Sequence, residues 1–390
     1  MSNLILRIYS FLLKLIKAKW TFRSINSADI LIFDQMGSEY VVPYINSKIK
    51  YEILSTRYER LNIFLLFTSV ITSALAFLKL NNDYKHIYKN YLIKLIKTSN
   101  PKIIITYIDN DLFFFSLKKI FPEICFIAIQ NGLSGQIIKL NEIDKTKKID
   151  YFFCFSKAYA GFYQLNFAKK SHITGSLKCN NFKKRNIKIK DQKRIVFISS
   201  FSGFKKFQCF NRQITHKEFY TPEYRLLPIL FKFSVKNNIN FSILLRNDKN
   251  KKEKLFYLDI LKKNLNNKNQ KYLKFYGKGR NKLSYNIIKK FDLVLSIDSA
   301  LGIETLGLGI KSIFFSLRKF YVNSSTFSFG WPKRMNKNGF CWTNSFSEKK
   351  INSILKKNLN MSTAIWLKEY SKKNFGELMS HDYQNKNTKK

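Results

Sequence analysis

Apolar runs of four to seven residues recur along most of the chain, and each ends in small or polar side chains. In the first half the runs lie at 28–33, 51–55, 102–108, 125–129, 150–155 and 171–174. In the second half they lie at 194–199, 240–245, 272–276, 291–297 and 311–315. β-Branched and aromatic residues dominate these runs, which predicts strands; 102–108 and 291–297 have the continuous apolar character of buried parallel strands. Between them, 112–121, 218–235 and 300–308 have helical spacing. Strands alternating with helices predict doubly wound parallel sheets, hence an α/β fold of two facing Rossmann-like domains.

The remaining segments set the boundaries. Residues 4–20, LILRIYSFLLKLIKAKW, predict a basic amphipathic helix, and 1–27 is read as an N-terminal element suited either to a membrane surface or to the protein's own body. The first Rossmann-like domain is then 28–177. Polar, Asn-rich 178–193 reads as a linker, 194–345 as the second domain, and 346–390 as basic helices with a frayed end, NKNTKK. Residues 63–78 are apolar and uncharged but fall short of the roughly 20 a spanning helix needs, so they predict a buried helix.

Composition changes the picture in two ways. Net charge is +45 (70 Lys and Arg minus 25 Asp and Glu), which suits an anionic membrane or nucleic acid. Basic residues are spread over the whole chain, however, and Lys, Asn, Ile and Phe are abundant together, as in an AT-rich genome. A solvated basic surface therefore competes with a lipid-binding one. No aromatic-basic interleaving of the RNA-binding kind is present, so no nucleic-acid partner is expected. Five scattered cysteines without C-x-x-C indicate a reducing cytosol. Four histidines without metal-ligand spacing, and no G-x-S-x-G or G-x-x-x-x-G-K-[ST], speak against a metalloenzyme, a serine hydrolase and a P-loop NTPase. No metal and no cofactor are expected.

Candidate chemistry collects at the carboxyl ends of the strands. The run 291–297 ends at Asp298-Ser299, a short helix carries Gly302 and Glu304, and Gly309 stands where a helix C′ glycine belongs. Backbone N–H groups and the helix dipole make this turn a phosphate site, with Glu304 placed for ribose hydroxyls; the same unit would also serve in any Rossmann-like domain. Ser202 and Gly203 follow 194–199 and allow close approach to a phosphate. Arg246, Lys278 and Arg280 follow two further strands and are either diphosphate-binding or surface charges. In the first half, Asp34, Gly37 and Glu39 follow 28–33, Asp109-Asn110-Asp111 follow 102–108, and Gln130-Asn131-Gly132 follow 125–129.

The arrangement D-S, L-G-x-E-x-L-x-x-G and a further strand resembles the donor-nucleotide element of GT-B glycosyltransferases, variants of which occur in nonhydrolysing sugar-nucleotide epimerases and polyol-phosphate polymerases. P-K-I-I-I-T-Y-I-D-N-D followed by F-I-A-I-Q-N-G resembles a bacterial surface-carbohydrate family of GT-B type, found with O-antigen and capsule genes. Gly330-Trp331-Pro332 and G-F-C-W-T-N at 339–344 are similar to that family's tail, so the resemblance runs from about Ile30 to Trp342.

The resemblance implies a metal-independent glycosyltransferase acting in a cleft between two domains. Its partners would be a nucleotide sugar, a lipid-linked or saccharide acceptor, and the anionic inner face of the cytoplasmic membrane, where the protein would be peripheral. Asp298, Ser299, Gly302, Glu304, Ser202, Gly203, Arg246, Lys278 and Arg280 would hold the donor. Asn110, Gln130, Asn131 and Gly132 would hold the acceptor, and Asp109, then Asp111 or Glu39, would be the general base. Asp109 could instead cap the following helix. Two other classes stay open: an epimerase or polyol-phosphate transferase on the same scaffold, and a basic binding protein without catalysis. An epimerase needs an acid/base pair that the sequence does not assign, and of the paired histidines usual in the polymerases only His216 is suitably placed.

Overall fold

The computed structural model describes residues 9, 13–22, 25–77, 85–133, 148–184, 193–203, 206–209, 212–246, 251–277, 282–322, 324–333, 338–372 and 378–386; side chains are described for fewer. The chain divides into two compact units. The first comprises Met1–Asn131, Leu140–Phe153 and Tyr163–Ser171, the second Gly132–Lys139, Cys154–Phe162 and His172–Lys390.

Unit 1 opens with β1 (Lys19–Thr21), β2 (Ile30–Ile32), β3 (Tyr51–Ile53) and β4 (Arg60–Asn62), followed by helices α1 (Ile63–Phe77) and α2 (Lys85–Ser99). Then come β5 (Ile103–Thr106), α3 (Leu112–Ile120), β6 (Cys125–Ile129) and β7 (Ile149–Cys154), followed by α4 (Lys157–Asn166) and β8 (Ala168–Ile173), where Cys154–Phe162 and the residues from His172 on belong to unit 2. The main sheet has the order β3-β2-β5-β6-β7-β8. Ile30 is in parallel register with Tyr51 on one side and Ile103 on the other. Isoleucine-rich strands suit a sheet covered on both faces; Leu31, Ile32, Ile104, Phe126 and Phe152 are fully buried. Helix α3 buries Phe114, Phe115 and Leu117. Because β3 lies to one side of β2 and β5 to the other, the loops after β2 and β5 diverge at the point where open α/β sheets bind ligands.

Two expectations for this unit are corrected. The segment 4–20 is helical at 13–17 but then enters β1, because Lys19, Trp20 and Thr21 pair in parallel with Arg60, Leu61 and Asn62 of β4. Most of the residues before 13 lie outside the described set. The apolar run 63–78 does form a helix, α1, but not a buried one: Phe64 and Phe67 are 63% and 66% exposed. Among the described residues no helix is long and apolar enough to cross a membrane.

Unit 2 contains β9 (Arg194–Ile198), a hairpin of β10 (Lys206–Cys209) and β11 (Arg212–Thr215), α5 (His216–Lys236), β12 (Asn240–Leu244), α6 (Lys251–Leu261) and β13 (Leu273–Tyr276). It continues with α7 (Lys282–Ile288), β14 (Leu293–Ser296), α8 (Ala300–Gly307), β15 (Ser312–Phe315), α9 (Lys319–Val322), β16 (Trp342–Thr343), α10 (Glu348–Asn360) and α11 (Thr363–Lys372). The sheet order is β13-β12-β9-β14-β15-β16, with every pair parallel. Here the topological reversal lies between β9 and β14, where Ile195 faces Leu293 and Phe197 faces Leu295. A Thr215–Glu218 capping box starts α5, whose Leu226, Leu230 and Phe231 join Phe197, Phe241 and Leu295 in the core.

The polar ends of this unit are packed. Of the expected linker 178–193, residues 185–192 lie outside the described set, but Cys179–Asn181 form a 3-10 turn with Cys179 and Asn180 buried. The expected frayed end is likewise docked as far as it is described: Asn180 Nδ2 donates to Asn385 Oδ1 at 2.6 Å, and Ser380 N donates to Phe155 O at 2.9 Å. Buried amides and carbonyls that satisfy each other replace the apolar contacts a sequence pattern would reveal.

Candidate functional site

The loop after β9 and the turn after β14 are held by one buried cation. Arg318, three residues past the end of β15, is fully buried. Its Nη2 donates to Glu223 Oε1 at 2.6 Å and to Ser200 Oγ at 3.0 Å. Its Nε donates to Asp298 Oδ2 and its Nη1 to the Phe219 carbonyl, while the Phe219 ring stacks 3.9 Å from the guanidinium carbon. Burial opposes the charge on Arg318, but the carboxylates of Asp298 and Glu223 outweigh it and hold the guanidinium above its ordinary range. A planar fork can serve several acceptors at once, which a lysine ammonium could not do in this geometry.

Around that anchor the loops are fixed through their own backbones. Ser199 Oγ donates to Glu253 and accepts from Tyr257 OH at 2.8 Å, and Arg246 N donates to Glu253 Oε1 at 2.8 Å. Ser202 N donates to Tyr220 OH at 2.7 Å, leaving Ser202 and Gly203 exposed at the sheet edge. Gly203 has φ +71°, a conformation that favours glycine. The exposed Arg246 reaches the Phe201 carbonyl at 3.4 Å. On the β14 side, Ser299 is the N-cap of α8 without a side-chain cap bond, and its N–H donates to Ser296 Oγ at 3.1 Å. Gly302 is buried; a Cβ there would sit 2.5 Å from Ser296 Oγ, so this glycine lets α8 pack on β14. The structure thus gathers Asp298, Ser299, Ser202, Gly203 and Arg246 about one switch point.

Glu304 has a different setting. It is 4% exposed, and its carboxylate accepts from Ser176 Oγ at 2.5 Å and from Tyr285 OH at 2.8 Å. A ribose hydroxyl would have to share or replace these donors. Lys278 and Arg280 lie outside the described residues. His216 packs against Tyr220, Phe201 and Phe256, and burial lowers its pKa.

In unit 1 the corresponding loops carry the acidic candidates. Asp34 has φ +98° and accepts from Met36 N at 2.7 Å, Thr56 Oγ1 at 2.8 Å and Arg57 Nε at 3.1 Å, so it organises its own turn. Gly37, at φ +85°, lies directly against the Tyr107 ring. Glu39 is exposed on a single 3-10 turn. Asp109 is 1% exposed and accepts from Tyr163 OH at 3.3 Å, whereas Asn110 is exposed. The helix cap expected of Asp109 belongs to Asp111, whose Oδ1 accepts from Phe113 N at 2.9 Å. Asp111 is half-buried, and burial raises its carboxyl pKa against the pull of the Phe113 and Phe114 amides. Gln130 is buried with its N–H donated to Phe153 O at 2.8 Å; Asn131 and Gly132 are half-buried beside it. A cavity of about 290 Å³ opens next to the β2 loop, lined by Gln35, Ser38, Tyr51, Glu52 and Arg60 among others. Among the described residues no three His, Cys, Asp or Glu side chains converge as a metal site would require.

Sequence reasoning missed Arg318 and Glu223. Arg318 lies just past a strand end, the same signal that singled out Arg246.

Two parallel six-stranded sheets flanked by helices define a GT-B-like protein, and solved structures share that fold. A glycosyltransferase from Rickettsia africae aligns with a TM-score of 0.52 and 12% identity over 93% of this chain and 97% of its own. The UDP-GlcNAc 2-epimerases of Methanocaldococcus jannaschii and of Neisseria meningitidis, the latter bound to UDP-GlcNAc, each align with a TM-score of 0.51 and 12% identity over 92% of this chain and 97% of theirs. No curated protein sequence matches. Residues 127–390 match a sequence family described as "putative O-antigen biosynthesis protein". The chain belongs to this O-antigen biosynthesis family.

Proposed function

We propose that the protein is a glycosyltransferase that moves a sugar from a nucleotide-sugar donor to a lipid-linked or saccharide acceptor in surface-polysaccharide assembly. The observation that carries this reading is the switch point of unit 2, where Arg318 fixes the Ser200 and Asp298 loops beneath exposed Ser202 and Gly203. In the proposal, Ser202, Gly203, Ser299 and Arg246 receive the donor diphosphate, together with Lys278 and Arg280. Backbone N–H groups at a helix start and a guanidinium are matched to phosphate oxygens. Asp111 is our preferred general base, because it combines partial exposure with a carboxyl pKa raised toward the working range. Gln130, Asn131 and Asn110 would hydrogen-bond acceptor hydroxyls. The reaction would need no metal and no cofactor, and would take place at the inner face of the cytoplasmic membrane.

A second reading, sugar-nucleotide epimerisation, is favoured by the shared fold of the two epimerases. One experiment separates them. The purified protein is warmed with a panel of nucleotide sugars, and any stabilising donor is then incubated with and without acceptor. A donor at 100 times its Kd should add about 2.7 kcal/mol of stability. Nucleotide release that depends on acceptor supports transfer; a change of sugar configuration without acceptor supports epimerisation. If no nucleotide sugar stabilises the protein, both readings fail.

A further inference from the structure

Helix α1 carries an apolar ridge on its outer face. Phe64, Phe67, Val70 and Ile71 recur at helical spacing and are all exposed. The inner face is different: Leu66 and Ser69 are buried, and Lys94 of α2 donates to the Thr68 carbonyl at 2.7 Å. The ridge continues onto the N-terminal segment. Strands β1 and β4 run parallel with Thr21 opposite Asn62, so Phe22 and Ile63 leave the pair in the same direction. Ile16, Trp20 and Phe22 are exposed as well.

The elements that carry and flank the ridge are strongly cationic, and an exposed acid, Glu59, stands beside them just before β4. Residues 13–22, 60–77 and 85–99 hold three, one and four Lys or Arg respectively, and no Asp or Glu. We propose that this ridge docks the protein on an anionic phospholipid bilayer, with α1 lying in the plane of the surface. Exposed Phe, Val and Ile would enter the acyl boundary while the neighbouring lysines meet lipid phosphates. The 15 residues of α1 make about 22 Å of helix, too short for the roughly 30 Å hydrocarbon core, so the helix lies on the membrane and does not span it. A second copy of the chain is the poorer occupant, because two such faces would bring together eight Lys or Arg each, with Glu59 beside them far too little acid to pair them. The inference deepens the proposed function and rests on it, since transfer to a lipid-linked acceptor takes place at a bilayer.

The test sediments the full chain with vesicles of phosphatidylcholine, alone or with about one-third phosphatidylglycerol. Wild type is compared with the double variant Phe64→Ser/Phe67→Ser, whose circular dichroism should be unchanged because both side chains face solvent. Wild type should bind the anionic vesicles, and the double variant should lose about tenfold or more in affinity. Raising salt from about 0.05 M to about 0.5 M should weaken wild-type binding without abolishing it, because apolar insertion is not screened. The proposal is overturned if wild type stays in the supernatant, if the variant binds as well as wild type, or if salt alone releases everything. It is also overturned if the variant merely converts a dimer to a monomer in analytical ultracentrifugation with vesicle binding intact. Stabilisation by nucleotide sugars is read on the same samples: its absence in wild type sinks the transfer reaction while leaving vesicle binding to be judged by itself.

Discussion

Arg318 donates to Glu223 Oε1 at 2.6 Å, and neither side chain is exposed to water. With Asp298 on the same guanidinium, one cation balances two acids at the reversal of the unit 2 sheet. Arg318→Met should therefore cost about 3–5 kcal/mol, because it leaves uncompensated carboxylates in a dry site. The measurement is the urea midpoint at constant m-value. A Met variant as stable as wild type would mean that the acids are neutral and the network contributes little.

Glu304 accepts hydroxyl protons from Ser176 and Tyr285 inside the protein, so its first role is structural. Glu304→Ala should lose about 2–4 kcal/mol of stability before any ligand is added, since two buried hydroxyls lose their acceptor. Glu304→Gln keeps one carbonyl oxygen and serves as the test of ribose binding. If ribose shares the carboxylate, nucleotide affinity falls by about 1–3 kcal/mol in a titration calorimeter while the melting temperature stays near wild type. Equal affinity in wild type and Glu304→Gln removes this residue from the donor site.

These two residues also mark how far the sequence could be read. The β-branched runs that became β2, β5, β9 and β14 were legible because burial on both faces leaves a local signature. The carboxyl edges followed from strand polarity. Arg318 had one local mark, its place just past a strand end, but its burial was not legible: its partners lie 95 and 20 residues away, and nothing local separates a buried guanidinium from a solvated one among 70 basic side chains. The exposed face of α1 was hidden for another reason. When every side of a helix is apolar, periodicity cannot say which side meets the protein. Asn180 and Asn385 look like loop residues, and only a tertiary contact across 205 positions makes them core.

Acid should weaken unit 1 through Asp150. Lys118 and Lys169 donate to its two oxygens at 2.8 and 2.9 Å, and the Phe126 N–H donates at 2.9 Å. Burial works against the charge, but these donors outweigh it and hold the carboxyl below its ordinary value of 3.8. A depressed folded-state pKa gives stability that is present above the unfolded value and is lost as pH falls through the folded one. Wild-type stability should accordingly drop as pH falls below 3.8. Asp150→Asn should be weaker by about 1–3 kcal/mol at neutral pH and lack that acid-dependent loss. Parallel pH profiles for the two proteins would contradict this account.

The last prediction separates the two carboxylates of Asp109-Asn110-Asp111. Spelled out, the triplet is D-x-D, the pattern with which some transferases hold a divalent cation on a diphosphate. In this structure the two acids are engaged separately: Asp109 by the Tyr163 hydroxyl, Asp111 by the Phe113 amide at the start of α3. Activity should therefore survive excess EDTA, and Mn²⁺ should not be needed to restore it. Asparagine caps a helix about as well as aspartate, so Asp111→Asn should fold normally while turnover falls about 10²–10⁴-fold through loss of the general base. Asp111→Ala should lose the cap as well, about 1 kcal/mol more. Because burial raises the Asp111 carboxyl, and a base must be ionised to act, the acid limb of kcat should lie above 3.8 in wild type. Asp109→Asn, which keeps an oxygen for Tyr163, should stay within about tenfold of wild-type turnover. If Asp109→Asn is the inactive variant, the base is Asp109, earlier in the same loop after β5; if EDTA abolishes transfer, the metal-free reading of the triplet is wrong.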